Sequence, residues 1–540
     1  MSQTQSPQHD RFVHDRLPRT KDLPQILPLP KIPLSGQLNC AWFLIDRHLE
    51  GPTDNLIGDR IAIKSGERTW TYWQLGSHVN QIANVLKQDY RIEPGNRVLI
   101  RGANSPEVAA VWLAIQKIGA IAITTMPLLR AGELATLIDL SKPQLAVCDT
   151  AIALDLQTAI DDTGSTCAMI TYDVGGGGAL YHAMAGKSDK CDACPTLADD
   201  ISIIGFTSGT TGNPKATVHY HRDILAICET MCRHIIRPVT EDVFIGTVPL
   251  AFTFGLGGLL VFPFYAGACT VLNDRYSPQQ LAEAIEHYQA SVCFTVPTFY
   301  QQMLRLDDVN SVNGLRLAIS SGEALPEPVR QLWQNRTGVE LAEVLGSTEM
   351  LHAFAGAGGS AIKPGFIGPA IPGFELAVLD EKGNRLEAGE IGRLAVKGPT
   401  GCRYLDDKRQ GDYVQNGWNI TGDACVMDQD GYVAYHTRFD DMIISAGYNI
   451  SGLEIENALL AHSMVAECAV IGEPDTERGQ IVAAFVVLAQ AVKNPGDMVL
   501  ELQDHVRQNI APYKYPRRIK FVQQLPRNES GKLQRFRLRP

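Results

Sequence analysis

Short apolar runs alternate with amphipathic stretches through most of the chain. RVLIRG (97–102) has the length and composition of a strand, Pro106–Lys117 follows as a helix, and AIAITTMP (120–127) reads as the next strand. VCFTVPT at 292–298 reads as a buried strand running into a helix that contains Tyr300–Leu306, and RLAISSGEAL at 316–325 as a strand and turn before another helix. This βαβ rhythm predicts a largely parallel sheet with helices on its faces. After about residue 363 the texture changes. The run KPGFIGPAIPGFELAVLDEKGNRLEAGEIGRLAVKGPTG is rich in Gly and Pro with short alternating strands, which predicts a small β-rich subdomain over about 363–439. From Asp441 onward, ECAVIGE and QIVAAFVVL alternate with helices at Glu454–Ala461 and Gly496–Asn509, the pattern of a compact α+β module. The expected fold class is therefore α/β. A large multi-subdomain N-terminal domain, residues 1–439 with an extended, Pro-rich lead over 1–40, precedes a small C-terminal domain, residues 441–540.

The longest apolar stretch, Ala109–Leu129, contains Gln116, Lys117, Gly119 and Pro127. It reads as an amphipathic helix ending near Gly119 and then a strand, not as a membrane span. The polar, Pro-rich start has no continuous apolar core of a signal peptide. Twelve cysteines in 540 residues are too sparse for a disulfide scaffold, so reduced thiols and a cytoplasmic setting are expected. Cys191 and Cys194 form a lone CxxC after the glycine run 175–178, with no second ligand pair for zinc, and read as loop.

Net charge is −11, unevenly spread. From Arg507 to Pro540 there are ten Lys/Arg and one acid, Glu529, for +9, so the other 506 residues carry −20. The acidic body disfavours nucleic acid and anionic membrane as partners. The tail needs its own explanation.

The strand ISIIGF runs into TSGTTGNPK, Thr207–Lys215. Its glycines let backbone N–H groups converge on an anion, its hydroxyls add donors, and Lys215 adds charge. That is the composition of a phosphate-cradling loop. It is not the GxxxxGK[ST] loop, because Pro214 precedes the lysine. No GxSxG or nucleophilic triad signature accompanies it. Read alone, Glu349 in LGSTE is an acid at a helix N-terminus capped by Ser347, and Lys532 is one of ten basic tail residues.

Taken in order, TSGTTGNPK, LGSTE (Leu345–Glu349), ITGD (Ile420–Asp423), RFDDMIISAGYNISGLEIE (Arg438–Glu456) and LPRNESGKLQR (Leu525–Arg535) resemble the adenylate-forming superfamily of acyl- and aryl-CoA ligases, adenylation domains and luciferases. PLAFTFGLGG (249–258), TMPLLRAGELA (125–135), KGPTGCRYLDD (397–407) and APYKYPR (511–517) are similar to the benzoate- and 2-aminobenzoate-CoA ligase branch, the latter above all. The resemblance implies a two-step reaction. A carboxylate is adenylated by ATP with Mg²⁺, releasing pyrophosphate, and the acyl group then passes to coenzyme A, releasing AMP. The substrate supplies the nucleophile, so the protein supplies positioning and charge.

The resemblance assigns Thr207, Ser208, Gly209, Thr210, Thr211, Gly212 and Lys215 to the β- and γ-phosphates. It assigns Thr348 to the α-phosphate, Glu349 to Mg²⁺, Gly322, Glu323 and Ala324 to adenine, Asp423 to the ribose, and Arg438 to the ribose or a phosphate. Leu345 stands where relatives often carry an aromatic residue. Lys532 is the implied catalytic cation of adenylation. Asp440 is the implied hinge about which a mobile C-terminal lid turns, bringing Ser445, Ala446, Gly447 and Tyr448 toward pantetheine. Phe252, Thr253, Phe254, Gly255, Gly346, Met350, Leu351 and His352 are the implied acyl pocket, a flat slot suited to an aromatic ring. Arg517, Arg518 and Lys520 are candidates for the phosphates of CoA. Two other readings stay open: an enzyme that loads an aryl acid onto a carrier protein, and a catalytically silent nucleotide-binding regulator.

Overall fold

The computed structural model describes residues 5–29, 36–50, 57–207, 214–306, 309–438, 441–445, 448–475, 478–492, 494–527 and 533–539. Two sheets with mainly parallel strands form the bulk of the molecule. In the first, six strands lie in the order 168–172, 145–149, 97–101, 121–125, 201–207 and 215–220. All its neighbours are parallel except the last two, which form an antiparallel hairpin with Thr207 opposite Lys215. In the second, eight strands run in the order 353–356, 341–346, 317–320, 292–295, 243–246, 269–271, 61–65 and 68–71. It is parallel except for the pair at each end.

Pro106–Lys117 shows why the sequence folds this way. Ser105 caps it by accepting from Val108 N, Pro106 sits in its first turn where no N–H is needed, and Gly119, at φ +74°, turns the chain into the next strand. Every residue of this helix is buried, so it is not amphipathic, as its Gln and Lys suggested. The polar ends are satisfied inside the protein: Gln116 bonds Ser202, and Lys117 Nζ reaches Asp46 at 2.8 Å and Asn80 at 2.6 Å. The helix expected around Tyr300–Leu306 spans Pro297–Met303, started one turn earlier by its proline.

The β-rich region forms a five-stranded antiparallel sheet from strands 375–379, 391–397, 414–415, 418–427 and 433–438. The C-terminal module has its own sheet, with strands 443–445, 448–450, 465–475, 479–488 and 518–521, covered by helices Gly452–Leu460 and Pro495–Asn509. It docks on helix Pro297–Met303 and the turn after it: Gln301 Nε2 and Arg305 Nη2 both donate to the Ala466 carbonyl, at 2.8 and 3.0 Å. Its basic tail is neutralised largely from within. Lys514 pairs with Glu454, Arg518 and Lys520 share Glu473, Arg535 pairs with Glu456 and Arg539 with Asp441. Among the described residues no helix is long and apolar enough to cross a membrane, and all twelve cysteines are unpaired.

One short connection ties the β-rich region to the first sheet. Val218 N donates to Arg403 O and Leu405 N to Ala216 O, both at 2.9 Å, so residues 403–405 run along the hairpin strand Lys215–Tyr220 like an added strand. Successive side chains of an extended segment point to opposite faces. Arg403, 2% exposed, turns to one side, where it bonds Asp223 at 2.8 Å and stacks over Tyr220. Burial alone would raise the Asp223 carboxyl, but Arg403, with help from His219 and Arg222, holds it well below the usual range. Its contribution is therefore present above an ordinary aspartate pKa and is lost as pH falls below it. Asp223→Ala would strand a buried guanidinium and is expected to cost about 3–5 kcal/mol, read as a lower urea midpoint at neutral pH. A midpoint unchanged from the parent would contradict this.

Candidate active site at the junction of three sheets

Tyr404, on the opposite side of the chain from Arg403, faces the mouth of the hairpin. Its hydroxyl donates to Glu349 Oε1 at 2.6 Å and accepts from Lys215 Nζ at 3.0 Å, while Lys215 and Glu349 stand 4.0 Å apart. Burial, with Glu349 next, pushes the Tyr404 phenol far above its ordinary pKa, so it remains a donor. Three chain regions meet here: the hairpin, the end of strand Leu341–Gly346, and the β-rich connection. Glu349 does not begin a helix. Ser347 Oγ accepts from Met350 N in a tight turn, and Leu351 takes the left-handed conformation at φ +67°. His219, buried under the hairpin, holds this turn by bonding the Thr348 carbonyl at 2.8 Å.

Thr348, Gly205, Phe206, Phe252 and Thr253 line a small cavity between the hairpin and the turn before helix Thr253–Leu256. A Cβ on Gly205 would sit 3.1 Å from the Thr348 methyl, a tight fit, and one on Gly255 only 2.1 Å from Pro249 O, so Gly255 needs glycine. Phe254 points away from this cavity, toward Phe294 and His352. His352 is 2% exposed, wedged between Phe254 and Phe262, and its ring nitrogens have no side-chain hydrogen-bond partner, only a backbone contact at Phe254. Burial lowers its pKa to about 4, so the ring is neutral at physiological pH. Met350 and Leu351 are fully buried, and Gly346 lies against the His352 carbonyl and Ala353.

Asp423 and Arg438 face each other across strands 418–427 and 433–438, bonded at 2.8 Å. The turn Gly322–Ala324 follows strand Leu317–Ser320, with Gly322 at φ +88°. Glu323 accepts from Thr298 Oγ1 at 2.9 Å and from Leu533 N, in the C-terminal module, at 2.8 Å. Ser445 is buried in the strand Ile443–Ser445, which pairs with the strand that begins at Tyr448. Ser208, Gly209, Thr210, Thr211, Gly212, Asp440, Ala446, Gly447 and Lys532 lie outside the described residues. Arg518 and Lys520, the candidates for CoA phosphates, both pair with the buried carboxylate of Glu473.

Three residues that the motif reading passed over belong to the site. Tyr404 lies inside the quoted run KGPTGCRYLDD but carries no spacing signal of its own. Tyr413 packs edge-on against the Tyr404 ring and reaches Ser347 Oγ at 3.3 Å. Glu343 accepts from Leu325 N at 2.8 Å, directly after the Gly322–Ala324 turn.

The chain matches the AMP-binding enzyme family over residues 55–403 and the AMP-binding enzyme C-terminal domain over residues 454–532. It belongs to the adenylate-forming enzymes, as an acid–thiol ligase that uses ATP and coenzyme A. It is similar to a benzoate–CoA ligase of Thauera aromatica, 32% identical over 500 residues covering 90% of this chain and 95% of the relative. It is also similar to the human mitochondrial acyl-coenzyme A synthetase ACSM3, 31% identical with 88% and 83% covered. The crystal structure of the anthranilate CoA ligase AuaEII with anthranoyl-AMP superposes with a TM-score of 0.88 at 29% identity, covering 94% of this chain and 97% of that one.

Burial pushes the Glu343 carboxyl up from 4.5 to about 7, with the Leu325 N–H opposing it. The unfolded chain therefore ionises this group first, and stability falls as pH rises between those two values. Raising pH from about 5 to about 8 is expected to lower the melting temperature more in the parent than in Glu343→Gln. Parallel profiles would contradict it.

Proposed function

We propose that this chain is an ATP-dependent aryl-CoA ligase whose acid is 2-aminobenzoate or, failing that, benzoate. The observation that carries the aromatic reading is His352, a neutral imidazole buried between Phe254 and Phe262 with no side-chain partner and only a backbone contact at Phe254. A buried polar group without a partner costs about 1–3 kcal/mol, which a substrate hydrogen bond would recover. The ortho-amino group of 2-aminobenzoate is a weak base, neutral at pH 7, and needs an acceptor rather than a counter-charge. His352 or Thr253 offers one. Benzoate fills the same slot but leaves the imidazole unmatched. Ala251–Gly255 contains no acid, which disfavours an amino acid's ammonium group. The named activities of the Thauera and AuaEII relatives support the same choice.

In the first half-reaction a carboxylate oxygen attacks the α-phosphorus, and the bond from that phosphorus to pyrophosphate breaks. The hairpin Thr207–Lys215 holds the β- and γ-phosphates, with Lys215 steadied by Tyr404. Thr348 lies beside the α-phosphate. Glu349 is a buried, hard oxygen donor of the kind that fits Mg²⁺, and no group of three metal-binding side chains lies among the described residues. One carboxylate plus phosphate oxygens and water is a sufficient set for an ion that arrives with ATP. Gly322–Ala324 receive adenine, Asp423 and Arg438 the ribose, and Lys532 offsets charge between the carboxylate and the α-phosphate. In the second half-reaction the thiol sulfur attacks the acyl carbon, the bond to AMP breaks, and the thiol proton leaves to solvent. The C-terminal domain pivots at Asp440 and presents Ser445–Tyr448 to pantetheine. The twelve unpaired thiols suit a cytoplasmic setting.

The test is pyrophosphate release with benzoate, 2-aminobenzoate, salicylate and an alkanoate, in the parent and in His352→Ala. The expected result is fastest release with 2-aminobenzoate, and an advantage over benzoate that shrinks about tenfold in the variant. Preference for the alkanoate, as the ACSM3 likeness would allow, would contradict the aromatic reading. No acid-dependent release would point to a regulator, and an adenylate that free CoA does not consume would point to carrier loading.

A further inference from the structure

Glu323 stands where the nucleotide turn meets the C-terminal module. Its Oε2 accepts from Thr298 Oγ1, a contact within the large domain, and its Oε1 accepts from Leu533 N, a contact across the domain boundary. Arg527 approaches the same carboxylate at 3.5 Å, and also bonds Thr298 Oγ1 and Glu467, each at 3.0 Å. Arg527 and Leu533 are not independent partners. They face each other as an antiparallel bridge, reinforced by Gln534 N donating to Pro526 O at 2.8 Å. They are therefore the two stems of the loop whose sequence between them ends in Lys532. One carboxylate of the large domain grips both stems.

The side chain is thus committed to the lid, leaving the backbone of the Gly322–Ala324 turn to the adenine. We propose that Glu323 is a positioning residue, a latch that seats the Lys532 loop for adenylation and releases it when the domain turns for thioester formation. This rests on the two-step reading and on the role of Lys532 in its first step. The geometry suits a latch. Thr298 keeps Glu323 in place whether or not the lid is docked. The releasable contacts are a backbone N–H and a guanidinium, both stronger toward a carboxylate than toward a neutral acceptor. Helix Pro297–Met303 adds Gln301, and two residues beyond it Arg305, on a single lid carbonyl, so this part of the docking face is polar.

Four proteins separate the outcomes: the parent, Glu323→Ala, Glu323→Gln and Lys532→Ala. Acid-dependent ATP–pyrophosphate exchange reads adenylation, conversion of supplied aryl-adenylate and CoA to thioester reads the second step, and hydrogen exchange of the peptide containing Leu533 reads docking. Glu323→Ala is expected to lower exchange turnover about tenfold or more with a smaller change in the KM for ATP, and to speed deuterium uptake at Leu533. Thioester formation should fall much less, and Glu323→Gln, which keeps an acceptor oxygen, should lie between parent and alanine. Three results would overturn the latch: a loss confined to the ATP KM, equal losses in both half-reactions, or unchanged uptake at Leu533. Should Glu323→Ala fail to fold, Leu533→Pro removes the lid's donor while leaving Glu323 intact, and the same split is expected. If Lys532→Ala retains full pyrophosphate exchange, the two-step reading fails instead, and Leu533 uptake still reports on the latch.

Discussion

Two consecutive side chains, Arg403 and Tyr404, anchor the active-site junction from opposite sides of one extended segment. Arg403 is neutralised by Asp223 in a pocket closed to water, and that pair fixes the segment against the hairpin strand. With the backbone pinned, Tyr404 has one place to go, between Lys215 and Glu349. Three separately folded layers are thereby brought to a common point. The hairpin supplies donors, the second sheet supplies a carboxylate, and the β-rich region supplies the hydroxyl between them. A charge buried on one face of a strand thus sets the geometry of polar groups on the other.

The same economy appears in the C-terminal module. Its basic tail looks, by composition, like an arm for nucleic acid or membrane. In the fold five of its ten basic residues pair with Glu454, Glu456, Glu473 and Asp441 of their own module, and Arg527 pairs with Glu467 and Glu323. A tail paired mostly at home leaves Arg527 as its link to a large-domain carboxylate, Glu323.

The α/β class and the change of texture near residue 363 were legible in the sequence because they rest on local signals: apolar runs, glycines and turn residues. The motifs stand out in the sequence because unusual residue types crowd into short spans. What was hidden depends on partners far along the chain. Gln116 and Lys117 look like a solvent face because Asp46, Asn80 and Ser202 lie 37 to 86 residues away. Tyr404 sits in a run with nothing to distinguish it until the hairpin and Glu349 fold against it. Glu323 reads as part of a nucleotide turn, and only the docked lid reveals where its carboxylate goes.

The claim that the Lys215–Tyr404–Glu349 junction is where the phosphates are handled is tested most directly by acid-dependent ATP–pyrophosphate exchange in Tyr404→Phe. The substitution removes one hydroxyl and keeps the ring. The account predicts a loss of about tenfold or more in exchange turnover with the melting temperature essentially unchanged. Exchange within about twofold of the parent, in a folded variant, would contradict it.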